Sequence, residues 1–232
     1  MLTAATEGDI DHHVTLRTVD TFLTEELGIT GGCEPTLLDW LTFPEQKLLQ
    51  MTAGAVFRDD GGELSRIRVR YRYHPRAVWL YRLAASWPRS SQEEAFLGRA
   101  RETGDERGGR VVAARLVRDV MRLCFLLRRV YSPYSKWLGT AFATLPDVAP
   151  LGAVPDEVLR ALDLEAAEAA MAAAYETVAR WQNALGAAPL KTRQCDGSST
   201  VRTPSSMGDA LPVRLVTRWM PPSSKRPCTG WA

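Results

Sequence analysis

Three arginines, Arg115, Arg118 and Arg122, recur at intervals of three and four residues in one segment of the chain. On a helix this spacing places their side chains near one another. Guanidinium groups bind phosphate oxygens through paired hydrogen bonds, so the three arginines could line a phosphate-binding cleft. The alternative is a solvated helix face on which the arginines pair with nearby carboxylates: Asp105, Glu106 or Asp119.

Acidic residues in the segment "SQEEAFLGRARETGDERGG" could contribute acid–base chemistry. Glu93 or Glu94 could act as a general base on an acceptor hydroxyl. Acids at the start of a helix also stabilise the helix dipole, which is the alternative. Arg99 and Asp105 are predicted to form a buried ion pair that orders the glycine-containing break, with either a structural or a catalytic role.

A third candidate site follows Pro133, where Ser132 and Pro133 are typical of a helix cap and first turn. Free backbone N–H groups at such a start favour an anion. We therefore expect Tyr134 and Lys136 to face a ligand-binding cleft. The apolar neighbours are predicted to pack in the core: Trp137, Leu138 and Phe142.

The segments that carry these residues show mainly the periodicity of α-helices. The strongest pattern is "RVVAARLVRDVMRLCFLLRRVY", with a predicted core stripe of Val112, Leu116, Val120, Leu123 and Leu127. Cys124 in the same run is predicted to be a small core residue. An earlier amphipathic segment is predicted to end as a helix at Gly28, and a later one at Gly186. Pro88 predicts a break between two helices.

Two segments favour strands by local pattern. "AVFRDDGGEL" is typical of a short strand that enters a turn. In "ELSRIRVRYRYHP" apolar residues alternate with arginines as in a strand, although Leu64, Ile67 and Tyr71 also fit one helical face. His74, before Pro75, is predicted to be a surface turn residue.

The overall composition limits the classes to which this protein could belong. The chain has 232 residues and a formal charge of +2, so charge balance argues against nucleic acid or a membrane as partner. The four cysteines lack metal-ligand spacing, and the start of the chain has no signal-peptide pattern. We expect a cytoplasmic protein without a bound metal.

The long segment "EEAFLGRARETGDERGGRVVAARLVRDVMRLCFLLRRVYSPYSKWLGTAF" closely resembles an uncharacterised bacterial family, domain-of-unknown-function family 4037. The resemblance extends from about Val14 to Gly186. It implies a mainly α fold: a helical bundle with a small α/β remnant of a nucleotidyltransferase-like domain on its N-terminal side. It also makes "ELSRIRVRYRY" a helix, against the local pattern. The implied domains are the remnant (1–75), the helical domain (76–190) and a disordered or frameshifted tail (191–232).

Intact relatives would resemble nucleotidyltransferases, which carry a Gly-Ser turn and an Asp-x-Asp pair for Mg²⁺ and ATP. Asp9 and Asp11 form such a pair, but no Gly-Ser turn precedes them, and a solvated terminus is the interpretation we favour. The resemblance thus implies a non-catalytic fragment with a small-molecule or nucleotide ligand and no cofactor of its own. The alternatives are a stand-alone helical binding module that partners a catalytic chain, or a nonfunctional gene remnant.

Overall fold

The computed structural model describes residues 14–30 and 33–186, and every regular element within these ranges is an α-helix. In chain order the helices are α1 (Val19–Leu27), α2 (Leu37–Thr42), α3 (Glu45–Thr52), α4 (Glu63–Arg70), α5 (Arg76–Glu102), α6 (Glu106–Arg128), α7 (Ser135–Ala143), α8 (Ala149–Gly152), α9 (Val154–Leu159) and α10 (Leu164–Ala184). The mainly helical fold class is confirmed. The described residues contain no strand that would represent an α/β remnant.

The long helices α5, α6 and α10 form the centre of a bundle, with α9 packed against α6 and α10. Helices α5 and α6 run antiparallel. Trp79 near the start of α5 donates to the Leu126 carbonyl near the end of α6, whereas Glu93 further along α5 pairs with Arg115 in the first half of α6. The predicted stripe on α6 is confirmed, since four of its members are buried and Val112 packs against them. Cys124 is also buried, as predicted.

Local capping explains where α6 begins. The Asp105 carboxylate accepts the backbone N–H of Gly108 at 2.9 Å, which satisfies one of the free donors of the first turn. The next residue, Gly109, lies against Leu164 at the start of α10, and a Cβ at this position would force the leucine side chain to move. The absence of a side chain therefore lets α6 and α10 approach closely.

A second hydrophobic cluster lies on the N-terminal side and is rich in aromatic residues. Helices α1 to α3 contribute Leu23, Leu27, Trp40, Leu48 and Met51. Phe43 lies between α2 and α3, and Tyr71, Val78 and Tyr131 complete the cluster from neighbouring elements. We call this set the junction cluster, because Val78 belongs to α5 and Tyr131 follows α6. As predicted, α1 ends at Gly28, which adopts the left-handed conformation (φ 68°).

The break predicted at Pro88 is wrong, because α5 runs through it. Proline removes one backbone donor and so one hydrogen bond of the helix. However, Leu83 and Trp87 before Pro88 and Leu97 after it are all buried in the bundle core. We attribute the continuity of α5 to burial on both sides, which outweighs the loss of that single bond.

The strand that the local alternation favours is also wrong. Residues 63–70 form α4, which agrees with the helix implied by the family resemblance. Asp59 stabilises the start of α4 by accepting the Ser65 backbone N–H at 2.7 Å. The segment before it, "AVFRDDGGEL", contains no strand up to the start of α4. The turn around Asp59 and Gly62 is thus followed by a helix and not by a strand.

Two predictions about the start of α7 are corrected. The helix begins at Ser135 and not at Pro133, and Ser132 donates both its N–H and its hydroxyl to Glu45 instead of capping the helix. Trp137, predicted to be a core residue, is 56% exposed. Leu138 and Phe142 are buried, as predicted.

No helix in the described part of the chain has the length and apolar character needed to cross a membrane. The predictions for Asp9 and Asp11, and for the tail of residues 191–232, lie outside the described residues.

Candidate functional site

A cleft of about 770 Å³ separates the short helices α2 and α3 from the bundle. One wall follows α5 and α6, and the opposite wall comes from Leu41, residues 43–46 and residues 132–135 at the start of α7. Its volume is within the range of small-molecule sites. The charged and amide side chains that line it are Glu45, Gln46, Arg82, Arg89, Asp119 and Arg122.

Glu45 connects the two walls of the cleft. One carboxylate oxygen accepts from Arg82 Nη1 at 2.8 Å and lies 3.7 Å from His74 Nε2. The other oxygen accepts from the Ser132 hydroxyl at 2.9 Å and the Ser132 N–H at 3.2 Å. Burial alone would raise the pKa of Glu45, but His74, Arg82 and Ser132 outweigh it and lower the pKa to about 2. Glu45 is therefore ionised at neutral pH.

His74 contradicts the prediction that it lies in a surface turn. Its side chain is fully buried, and its ring contacts those of Trp40, Tyr73 and Tyr131 at centroid distances of 6.0, 5.0 and 5.1 Å. The residue does precede Pro75, the N-cap of α5, but this helix begins inside the junction and not at the surface. Because His74 lies close to Glu45, it helps to position this residue in the wall of the cleft.

Three arginines line the cleft, and they differ in their partners. Arg82 pairs with Glu45, and Arg89 Nε lies 3.1 Å from Asp119. Arg122 forms no ion pair within the described part of the chain. The Nε atoms of both Arg82 and Arg122 are buried and have no hydrogen-bond acceptor among the described residues. Two N–H donors are thus left unsatisfied in the cleft walls.

Of the three arginines proposed from sequence, only Arg122 lines the cleft. Arg115 pairs with Glu93 at the α5–α6 interface, and Arg118 Nη2 lies 3.2 Å from Asp119. Both arginines thus pair with carboxylates, as in the alternative interpretation of the sequence.

The two acidic candidates on α5 have different environments. Glu93 pairs with Arg115 through one oxygen, and its second oxygen is buried without a partner in the described residues. Glu94 is partly buried, and burial, with a further contribution from Glu168, raises its pKa. Neither residue is among those lining the cleft.

The predicted buried ion pair between Arg99 and Asp105 is wrong. Both residues are exposed; Asp105 caps α6, and the Arg99 guanidinium lies 5.7 Å from the Phe96 ring centroid. Helix capping by Asp105 orders the break without a salt bridge to Arg99.

The residues around α7 divide between the cleft and the outer surface. Tyr134 lines the cleft, and its backbone N–H donates to Gln46 Oε1 at 2.9 Å. Lys136 does not line the cleft but is exposed, with its ammonium 5.5 Å from the centroid of the Trp137 ring. Of this pair, Tyr134 therefore lines the cleft and Lys136 does not.

Sequence reasoning missed Glu45, Arg82 and Arg89. Glu45 follows Pro44 at a helix start, where an acidic residue is expected for its effect on the dipole and gives no signal of a site. Arg82 and Arg89 lie seven residues apart on α5, a spacing of about two helical turns, and so face the same side. Because Pro88 lies between them and predicts a break in the helix, the sequence does not indicate that Arg82 and Arg89 share one helix face. Among the described residues, no group of three or more His, Cys, Asp or Glu side chains could hold a metal ion.

Residues 40–138 match the model of a family described as Domain of unknown function (DUF4037). The match covers less than half of the chain and is shorter than the resemblance expected from sequence. Every residue that lines the cleft lies inside the matched segment. The match confirms the resemblance to an uncharacterised family. No curated protein and no solved structure matches this chain.

Proposed function

We propose that this chain is a non-catalytic, helical ligand-binding region of a nucleotidyltransferase-like protein, and that its cleft binds the phosphate group of a small molecule or nucleotide. One observation carries the proposal: Arg82 and Arg122, on two different helices, line the same cleft, and the Nε–H group of each is buried without an acceptor among the described residues. Buried polar groups without partners are costly, and a bound anion would satisfy them.

The charges that line the cleft also favour an anion. Arg82, Arg89 and Arg122 face two carboxylates, those of Glu45 and Asp119, which leaves one positive charge in excess. Glu45 and Asp119 are each held by an arginine, so Arg122 supplies the charge without a partner. Guanidinium groups suit phosphate because they donate two parallel hydrogen bonds.

The start of α7 supports the same assignment. Pro133, Tyr134 and Ser135 line the cleft at the N-terminal end of this helix. The first-turn N–H groups of a helix carry a positive partial charge and attract anions. A phosphate near Arg122 would thus meet favourable potential from more than one wall of the cleft.

The test is isothermal titration of the full chain with inorganic phosphate and with pyrophosphate, without divalent metal. We expect both probes to bind and Arg122→Gln to weaken binding about tenfold or more, since charge-assisted hydrogen bonds contribute about 1.5–3 kcal/mol. Arg107→Gln is the matched control, because Arg107 is exposed on the same helix and does not line the cleft.

Equal affinity of the wild type and Arg122→Gln for these probes would contradict the proposal, as would the absence of binding at millimolar concentrations. Circular dichroism of each variant checks that the helical content is unchanged.

A further inference from the structure

The two ends of the cleft differ in the side chains that line them. At one end Arg89 on α5 lies level with Asp119 on α6, because Arg89 Nε is 3.1 Å from the Asp119 carboxylate. Tyr81 precedes Arg89 by eight residues on α5, and Leu126 follows Asp119 by seven on α6. Since the two helices are antiparallel, both steps run in the same direction along the cleft, over about 10–12 Å. We call the end lined by Tyr81 and Leu126 the aromatic end.

Bonded residues place Tyr134 at the aromatic end as well. Arg82, which follows Tyr81, donates to Glu45 at 2.8 Å. Glu45 also accepts from the Ser132 hydroxyl at 2.9 Å. Tyr134 lies two residues after Ser132 and lines the cleft from the wall opposite α5. The two tyrosines therefore lie on different walls at the same end of the cleft.

Tyr81 and Tyr134 differ from the other tyrosines of the chain. They are 40% and 52% exposed, and neither ring contacts another aromatic ring within the described residues. The remaining four tyrosines each pack against an aromatic ring: Tyr71, Tyr73, Tyr131 and Tyr175. Aromatic rings bind one another by stacking or edge-to-face contact, so the two unpartnered rings in the cleft can bind a planar ring of a ligand.

We infer, on the basis of the proposed function, that Tyr81 and Tyr134 bind an aromatic ring of the same ligand whose phosphate lies at Arg122. Arg122 precedes Leu126 by four residues, so the phosphate lies about one helical turn, or 6 Å, from the aromatic end. A short linker such as a sugar therefore joins the phosphate to the ring. The ligand is a phosphate monoester that carries an aromatic ring, either a nucleoside monophosphate or an arylalkyl phosphate.

The experiment compares three probes by isothermal titration with the full chain: ribose 5-phosphate, adenosine 5′-monophosphate and 2-phenylethyl phosphate. All three are phosphate monoesters, but ribose 5-phosphate has no aromatic ring. We expect at least one aromatic probe to bind about tenfold more tightly than ribose 5-phosphate, because stacking on an aromatic side chain stabilises a bound ring by about this factor. Tighter binding of the adenosine probe alone identifies a nucleotide ligand, whereas tighter binding of both shows that a ring suffices.

Substitutions of the two tyrosines test their role. Tyr81→Ala and Tyr134→Ala should each lower this ratio of affinities to below about threefold, whereas Tyr81→Phe should keep it, because phenylalanine retains the ring. Phe96→Ala is the matched control, since Phe96 is 45% exposed on α5 and does not line the cleft. Circular dichroism should show unchanged helical content, because the substituted side chains are all exposed.

The outcomes separate the ring site from the phosphate site. A wild-type ratio below about threefold, or a higher ratio that neither alanine variant lowers, contradicts the ring site and leaves phosphate binding intact. Equal losses in Tyr81→Phe and Tyr81→Ala also contradict it, because the hydroxyl and not the ring would then bind the ligand. An effect of Tyr81→Ala without any effect of Arg122→Gln contradicts the phosphate site alone. If no probe binds, both proposals are wrong.

Discussion

The bundle core and the junction cluster are both hydrophobic, but different interactions hold them. The bundle core is formed mainly by aliphatic residues of long helices, and Leu116 and Cys124 at its centre are fully buried. The junction cluster is smaller and aromatic, with Trp40 and Tyr71 in ring contact. One of its attachments to the bundle is an ionised residue, Glu45, which is bonded to both α5 and the segment before α7.

This difference shows which part of the molecule controls the cleft. One wall belongs to the bundle, and in the other wall Glu45 is bonded to Arg82 and Ser132. Burial of aliphatic side chains depends little on pH, whereas an ion pair can be removed by protonation. We therefore expect the bundle to determine global stability and the junction to determine whether the cleft keeps its shape.

The largest effect is expected from Leu116→Ala in the bundle core. Leu116 is 0% exposed, and removing a buried leucine side chain costs about 3–4 kcal/mol through lost burial and the remaining cavity. Urea denaturation followed by circular dichroism measures the change. Leu162→Ala is the control, because Leu162 is 97% exposed. A loss below about 1 kcal/mol for Leu116→Ala would contradict the central position of α6.

The junction is expected to lose stability in acid. The pKa of Glu45 falls from its ordinary value of 4.5 to about 2 in the folded protein. A lowered pKa contributes stability that is present above pH 4.5 and is lost as the pH falls toward 2. The full contribution at neutral pH is about 3 kcal/mol.

Glu45→Gln isolates this contribution from those of the other carboxylates. The difference in unfolding free energy between wild type and variant should be largest at pH 7 and approach zero near pH 2. Hydrogen exchange locates the effect, which should be concentrated in α2 and α3. Glu63→Gln, at an exposed position in α4, is the control. A difference that does not change with pH would show that the Glu45 charge does not hold the junction.

The smallest effect is expected at Trp137. Since Trp137 is 56% exposed, Trp137→Ala should change the free energy of unfolding by no more than about 0.5 kcal/mol. The adjacent Leu138 is buried in the bundle core, so Leu138→Ala should cost about 2 kcal/mol or more. Urea denaturation of the pair shows which residue attaches α7 to the bundle. Comparable losses would contradict the orientation of this helix.

Several features of the fold were predictable from the sequence because their causes are local. The apolar stripe of α6 repeats at the helical period over many turns, so Leu116 and Leu123 could be assigned to the core without a structure. Gly28 ends α1 because glycine adopts the left-handed conformation at little cost. For the cleft, the sequence indicated Arg122 and Tyr134 but not the partners that face them.

Other features depended on contacts between distant parts of the chain. Ser132 resembles a helix cap, yet it bonds to Glu45, 87 residues earlier. His74 is buried because three aromatic rings from different elements enclose it. Pro88 should interrupt a helix, but packing on both sides keeps α5 continuous.

The sequence by itself determined α6 with its core stripe and the end of α1 at Gly28, since helical periodicity and capping act within a few residues. Only the tertiary structure decided the cleft, because Glu45, Arg82 and Arg122 lie far apart in the chain and meet when the junction cluster packs on the bundle. Propensity and periodicity report on neighbours in sequence, whereas a charged cleft depends on which side chains are left without partners once distant helices have packed.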